Sequence, residues 1–221
     1  MEKWIRLPTI VQLFRVSSFG RVSSFRHLPL RKAASRGILL KTIPTVTTYF
    51  ETLGVGNDSK VPAFDIDLGQ LRSNYLKFQQ RVHPDRYGNK NEQEYAHAQH
   101  YSSFINKAYQ TLRDPLSRAK YILQLNNISI SESESLEDPE LLMKILDTRE
   151  RLEEATDENE AKNIKDESEV RINEIITKLS QAFKSNDLVQ AKALTIRLQY
   201  WYNIREAAIE WEPGKPIEIH H

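Results

Sequence analysis

Between residues 68 and 112, apolar side chains recur at helical intervals in two runs separated by a proline. Leu68, Leu71, Tyr75, Phe78 and Val82 stand three or four residues apart, which draws one apolar stripe along a helix. Pro84 ends it, because proline donates no amide hydrogen and pushes the residue before it out of helical dihedrals. Ala98, Tyr101, Ile105, Ala108 and Leu112 form a second stripe of the same period, on a helix predicted from about Glu92 to Arg113. Packed antiparallel, the two helices would hold His83, Pro84 and Asp85 at an exposed tip. Short helices flank the hairpin. Thr47 or Thr48 can cap one that ends at Gly54, where glycine accepts the left-handed backbone of many helix ends. Asp65 or Asp67 can cap the helix that runs to Val82, after a loop from Val55 rich in Gly, Asn, Asp, Ser and Pro. Asp114-Pro115 opens a last short helix with Leu116, Ala119, Ile122 and Leu123 on its apolar side.

The pattern then lapses. Residues 126–138, NNISISESESLED, lack a helical stripe and read as a linker. Asp138-Pro139 starts three amphipathic stretches. The first, Glu140 to Glu154, carries Leu142, Ile145, Arg149 and Leu152 at helical steps, with Leu141 and Leu146 widening its apolar arc beyond what one packing seam requires. In the second, Ala161, Ile164, Ser168, Ile172, Ile175, Leu179 and Ala182 keep near-heptad spacing to about Lys184. Asn186-Asp187 makes a turn, and the third carries Ala191, Leu194, Leu198, Trp201, Ile204 and Ala208 before Pro213-Gly214. Two long helices joined by a short turn pack antiparallel, and the first helix can cover their seam. The expected fold is all-α: a hairpin module over 48–125, a linker over 126–138, a three-helix bundle over 139–215 and a tail over 216–221.

Charge adds a division that the net value of +1 conceals. Residues 1–48 hold nine Lys and Arg against the single acid Glu2, which leaves 22 basic and 29 acidic residues after them. The acidic body argues against nucleic acid as a partner, since phosphate contacts need clustered positive charge. The basic, Ser-containing N-terminus, with Leu7, Val11, Phe14 and Leu28 among its arginines, has the amphipathic signature of a mitochondrial transit peptide over 1–47, removed between Arg31 and Thr47. A mitochondrial matrix location follows as an expectation. No apolar run approaches the length of a membrane span, so no membrane partner is expected.

The chain has no cysteine, which excludes disulfides, a thiol nucleophile and any Cys-ligated metal or cluster. Glu94, His97 and His100, three apart on one predicted helix, could with His83 and Asp85 suggest a metal-dependent hydrolase. No further ligand cluster and no Gly-rich phosphate loop accompanies them, and helix-surface histidines are the better account. Neither a catalytic group, a metal nor a cofactor is expected.

The tripeptide His83-Pro84-Asp85 gains meaning from two further blocks, Tyr49-Phe50-Glu51-Thr52-Leu53-Gly54-Val55 ahead of it and the run from Phe104 to Pro115, FINKAYQTLRDP, behind it. In this order and at this spacing they resemble the J domain of DnaJ-type co-chaperones. With the acidic linker and the C-terminal bundle, the chain over about 49–215 resembles the HscB family, the J-type co-chaperones of iron-sulfur cluster biogenesis. Leu141 to Asp147, LLMKILD, resembles that family's client-binding helix, and Leu198 to Trp201, LQYW, its last helix.

The resemblance implies two partners, a mitochondrial DnaK-type chaperone whose ATPase is stimulated and an iron-sulfur cluster scaffold protein that is delivered to it. Asp85 on a short loop can accept charge-assisted hydrogen bonds from a partner arginine, Pro84 restricts that loop and His83 adds a donor. Arg72, Lys77 and Arg81 on the preceding helix supply steering charge. For the scaffold, the resemblance puts Leu142, Leu146 and Tyr200 at the centre of an apolar patch that Leu141 extends, with Lys144, Asp147 and Glu154 on its rim; Arg151 stands where relatives often carry an acid. The alternative is a J-domain co-chaperone for general unfolded or imported mitochondrial proteins.

Overall fold

Residues 48–56, 63–82, 92–130 and 138–214 are described in the computed structural model, and they carry seven helices and no strand. The all-α expectation holds. Outside the described residues lie the N-terminal segment 1–47, the tripeptide His83-Pro84-Asp85 and most of the predicted linker.

The first helix, α1 (Tyr49–Leu53), starts at a capping box: Thr48 Oγ1 accepts from the Glu51 amide, and the Glu51 carboxylate accepts from the Thr48 amide at 2.9 Å. Gly54 ends it with φ at 62°, a left-handed conformation that costs a Cβ-bearing residue. Of the two candidate aspartates, Asp67 caps α2 (Leu68–Val82), its Oδ1 accepting from Gly69 and Gln70. Leu68, expected on the α2 stripe, is half exposed in the first turn, whereas Leu71 and Val82 are buried.

Helix α3 (Glu92–Arg113) runs antiparallel to α2. Tyr75 stacks on Tyr109 with centroids 4.2 Å apart, and the Tyr75 hydroxyl donates to Asn106 Oδ1 at 2.9 Å. One turn further along α2, the Ser102 hydroxyl donates to Gln79 Oε1, so numbers rise on one helix as they fall on the other. Asp114 then caps α4 (Pro115–Leu125). Stacking of Tyr49 on Tyr121 at 4.4 Å, together with the hydrogen bond from the Tyr49 amide to the Tyr121 hydroxyl, closes α1 onto α4.

In the bundle, α5 (Pro139–Glu153), α6 (Glu158–Lys184) and α7 (Leu188–Ile209) are each capped by an aspartate, namely Asp138, Asp157 and Asp187. An N-cap of this kind contributes about 1 kcal/mol. Asn186, with φ at 56°, makes the tight turn between α6 and α7. Arg197 of α7 reaches Asp138 at the start of α5, and Arg151 near the end of α5 reaches Glu167 of α6. These two pairs set α5 parallel to α7 and antiparallel to α6.

Three hydroxyls lie in the bundle core, one from each helix. Thr148, Ser168 and Thr195 are all buried, and each donates to the carbonyl four residues earlier at 2.7 Å. A satisfied hydroxyl costs little to bury, and this explains why Thr148 rather than Arg149 occupies the seam of α5.

Helix α4 belongs by sequence to the hairpin module, yet it packs on α7 as well. One apolar cluster runs without a break from Phe50 and Leu53 through Leu116, Ile122 and Leu123 to Leu198, Ile204 and Ala208. Ile128 and Ile130, just past α4, also pack against it. Leu123 and Leu198 are fully buried, and burying such a side chain is worth about 1.5–3 kcal/mol.

Candidate functional site: two binding faces

The first face is α2. Arg72, Lys77 and Arg81 are all exposed, as charged side chains on a helix surface should be. They do not form one row. At 100° per residue, Lys77 and Arg81 share an i,i+4 line, while Arg72 lies about 140° from Lys77 around the axis, on the other flank. The basic charge is therefore spread on both sides of the helix that leads to His83.

The second face is built on α5. Leu141, Ile145, Thr148 and Leu152 are the residues this helix buries, so the packing seam is turned one position from the stripe through Leu142 and Arg149. Leu141, expected to extend the apolar patch, is buried in the seam at 6% exposure. Its neighbours are the reverse. Leu142 is partly exposed, Leu146 is 50% exposed and Met143, a residue that the sequence reading passed over, is 69% exposed. Their positions were hidden because a run of Leu, Leu, Met, Ile and Leu fits two helical phases equally well. Only the burial of Thr148 decides between them.

Arg149 swings outward to pair with Glu153 at 2.9 Å. Arg151 makes a bidentate pair with Glu167, at 3.0 and 3.1 Å, and this marks the flank of α5 that faces α6. The hydrogen bonds that Arg151 donates to Glu167 lower the Glu167 carboxyl below its ordinary value and raise the guanidinium. Lys144 shares that flank, about 160° around the axis from Leu146, so helical phase separates it from the apolar residues. Asp147 and Glu154 are exposed between these two flanks. Tyr200 is partly buried on α7, one turn beyond Arg197; since Arg197 holds the start of α5 and the helices run parallel, Tyr200 comes level with the first turn of α5. Leu142, Met143 and Leu146 thus lie off the seam with the exposed acids Asp147 and Glu154 on the same helix, and Tyr200 is level with the first turn.

Among the described residues no group of three or more His, Asp or Glu side chains is placed to hold a metal ion, and His97 and His100 are exposed on α3. No described helix is long and apolar enough to cross a membrane.

A different region was invisible in the sequence. Arg118 of α4 is buried, its Nη1 donating to the Leu112 carbonyl at 2.7 Å. Burial pulls the guanidinium pKa down, against the opposing charges of Asp114 and Asp65. On the facing helix, burial and then the Asp114 charge push the Tyr202 hydroxyl up to about 12, while the Arg205 guanidinium lies 4.3 Å from its ring centroid. Lys120 reaches Gln199 across the same seam.

Comparison with known proteins agrees with both halves. Residues 48–121 match the DnaJ domain, and residues 137–208 match the HSCB C-terminal oligomerisation domain. The chain is 35% identical to the J-type co-chaperone JAC1, mitochondrial, of Saccharomyces cerevisiae over 181 residues, covering 79% of this chain and 94% of that one. It is 39% identical to the co-chaperone protein HscB of Proteus mirabilis over 130 residues, 58% of this chain and 72% of the relative. The crystal structure of human co-chaperone protein HscB superposes with a TM-score of 0.68 at 31% identity, over 75% of this chain and 82% of the human one. Such proteins assist a chaperone and are not themselves catalysts. With a J module, an HscB-type bundle and a relative matched over nearly its whole length, the chain belongs to the HscB/Jac1 family of DnaJ-type iron-sulfur cluster co-chaperones.

Proposed function

We propose that this protein binds an iron-sulfur cluster scaffold through the outward face of α5 and Tyr200, brings it to a mitochondrial DnaK-type chaperone, and stimulates that chaperone's ATPase through His83-Pro84-Asp85 and the basic residues of α2, promoting cluster transfer. The observation that carries the reading is the exposure of Leu146 and Met143 on a helix whose seam is already filled by Leu141, Ile145 and Leu152. Exposed apolar side chains beside a charged rim suit a protein partner. The J module has no need of a catalytic group, because the bond that breaks belongs to ATP on the chaperone. Arg72, Lys77 and Arg81 steer an acidic surface toward the His-Pro-Asp segment from both flanks of α2.

The name of the yeast relative and the basic, acid-poor residues 1–47 together support a matrix location after removal of an N-terminal transit peptide. With no cysteine, the chain cannot hold a cluster by thiolates, and its part is delivery.

The test is a steady-state ATPase assay with a mitochondrial DnaK-type chaperone, with and without scaffold. Stimulation by the full chain should rise further when scaffold is added. His83→Gln should abolish stimulation while scaffold binding persists. The change Leu142→Ser with Leu146→Ser and Tyr200→Ala should abolish scaffold binding and leave the scaffold-independent stimulation. Full stimulation by His83→Gln would refute the chaperone half of the proposal. Unchanged scaffold affinity in the triple variant would refute the α5 face as the scaffold site, and absence of scaffold binding by the full chain would leave the general J-domain role as the better reading.

A further inference from the structure

The segment joining α1 to α2 reaches beyond its own module. Phe64 is buried and stacks on Phe183, in the last turn of α6, with ring centroids 5.2 Å apart and planes at 24°. The Arg118 guanidinium carbon lies 4.9 Å from the centroid of the same Phe64 ring. Arg118 is itself tied to the Leu112 carbonyl, so Phe64 rests on a group that is held in place. The next residue, Asp65, was one of two candidate caps for α2, and it turns the other way. Its Oδ2 accepts from the Ser180 hydroxyl at 2.6 Å and pairs with Lys184 Nζ at 2.6 Å, both on α6. Ile66 packs against the shared core, and Asp67 caps α2. Within four residues the chain passes from the end of the bundle to the first turn of the helix that bears Arg72, Lys77 and Arg81.

The contacts divide the work. Aromatic stacking in a buried site is the strong part, and an exposed ion pair adds little energy but fixes direction. Helix α2 leaves this anchor with its first amides held by Asp67, so a change at the anchor redirects the whole helix. Nothing in a J module alone calls for Phe64 to leave its own core and stack on a bundle residue.

We infer that residues 63–67 are a clasp through which the end of α6 sets the direction of α2, making Phe64, Asp65 and Lys184 positioning residues that fix where a cargo held on α5 meets a chaperone engaged by α2. The functional consequence rests on the reading under Proposed function; the clasp is a property of the chain by itself, and the two can fail separately.

Since the chain has no cysteine, single labelling sites can be introduced without background. Ser73→Cys on α2 and Glu150→Cys on α5, both at exposed positions, take spin labels in the full chain for pulsed distance measurement. The parent should give one narrow distance distribution. Phe64→Ala should roughly double its width, as release of a hinge would. Asp65→Lys should broaden it too, and combining Asp65→Lys with Lys184→Asp should restore it. This charge exchange lies on the exposed side of the clasp and decides the matter even if Phe64→Ala fails to fold. A distribution as narrow in Asp65→Lys as in the parent, or one that the exchange does not narrow again, overturns the clasp. In the ATPase assay, Asp65→Lys should keep scaffold-independent stimulation and lose at least about half of the increment that scaffold adds, with rescue by the exchange. A broadened distance with the increment intact overturns the positioning role. Absence of stimulation by the parent overturns the functional reading and leaves the distance result to decide the clasp.

Discussion

Helices α4 and α5 begin alike and end up in opposite circumstances. Each opens with an aspartate whose carboxylate accepts from an amide three residues on, followed by proline at the first helical position. Both then lie against α7. Yet α4 sinks even an arginine, while α5 leaves a methionine and a leucine in solvent. The difference is one of company. Helix α4 packs on both α3 and α7 and also takes the Tyr49 and Phe64 rings, whereas α5 packs on α6 and α7 and turns its other side outward. Local signals therefore decide that a helix forms, and its neighbours decide which residues have structural work and which are left for a partner.

Mutations in the two helices should differ accordingly. Leu123→Ala in α4 should cost about 2–5 kcal/mol, read as a large fall in chemical-denaturation midpoint, because it opens a cavity in a core shared by both halves. Asp114→Ala should cost about 1–2 kcal/mol, since it removes the cap of α4 and leaves the Tyr202 hydroxyl without its carboxylate neighbour. By contrast, Met143→Ser and Leu146→Ser in α5 should each change stability by less than about 0.5 kcal/mol. A loss comparable to that of Leu123→Ala would show that the α5 face is structural after all.

A smaller effect depends on pH. Burial raises the Asp65 carboxyl pKa, but the hydrogen bonds from Lys184 and Ser180 and the Lys184 and Arg118 charges outweigh it, and the net shift is downward from 3.8. A lowered folded-state value means that the carboxylate stabilises the fold above its unfolded pKa and that this contribution fades as pH falls through the folded one. The difference in thermal midpoint between the parent and Asp65→Asn should thus be present at pH 6 and fade as pH is lowered below 3.8 through the depressed folded-state value. The difference should be small, because the site is largely exposed and solvent-screened.

Much of this architecture was legible in the sequence because it is written in short-range signals. The caps at Asp114 and Asp138, the Gly54 helix end and the Asn186-Asp187 turn each follow from one or two residues. The long stripe of α6 admitted only one phase, and its expected buried positions are the buried ones. Helix α5 was ambiguous because Leu141, Leu142, Ile145 and Leu146 are all apolar; the choice turned on whether Thr148 or Arg149 would be buried, which depends on a hydroxyl finding its own backbone carbonyl. Arg118 and Phe64 could not be read at all. A charged residue on an amphipathic helix is normally solvated, and a phenylalanine in a loop gives no sign of which ring it will meet. Both depend on contacts between the hairpin module and the bundle, which local periodicity does not encode. The buried Thr195 and Ala207 of α7 have the same origin: that helix is packed by α4, α5 and α6, so its buried arc is wider than one stripe.

The outward residues of α5 are proposed to be exposed in order to bind. The most direct measurement is a calorimetric titration of an iron-sulfur scaffold protein into the Met143→Ser/Leu146→Ser variant, with thermal unfolding recorded on the same sample. The expected result is affinity weaker by tenfold or more, about 1.4 kcal/mol or above, at a thermal midpoint indistinguishable from that of the parent. Parental affinity in the variant, or a loss of binding that only accompanies a loss of folding, would contradict the account.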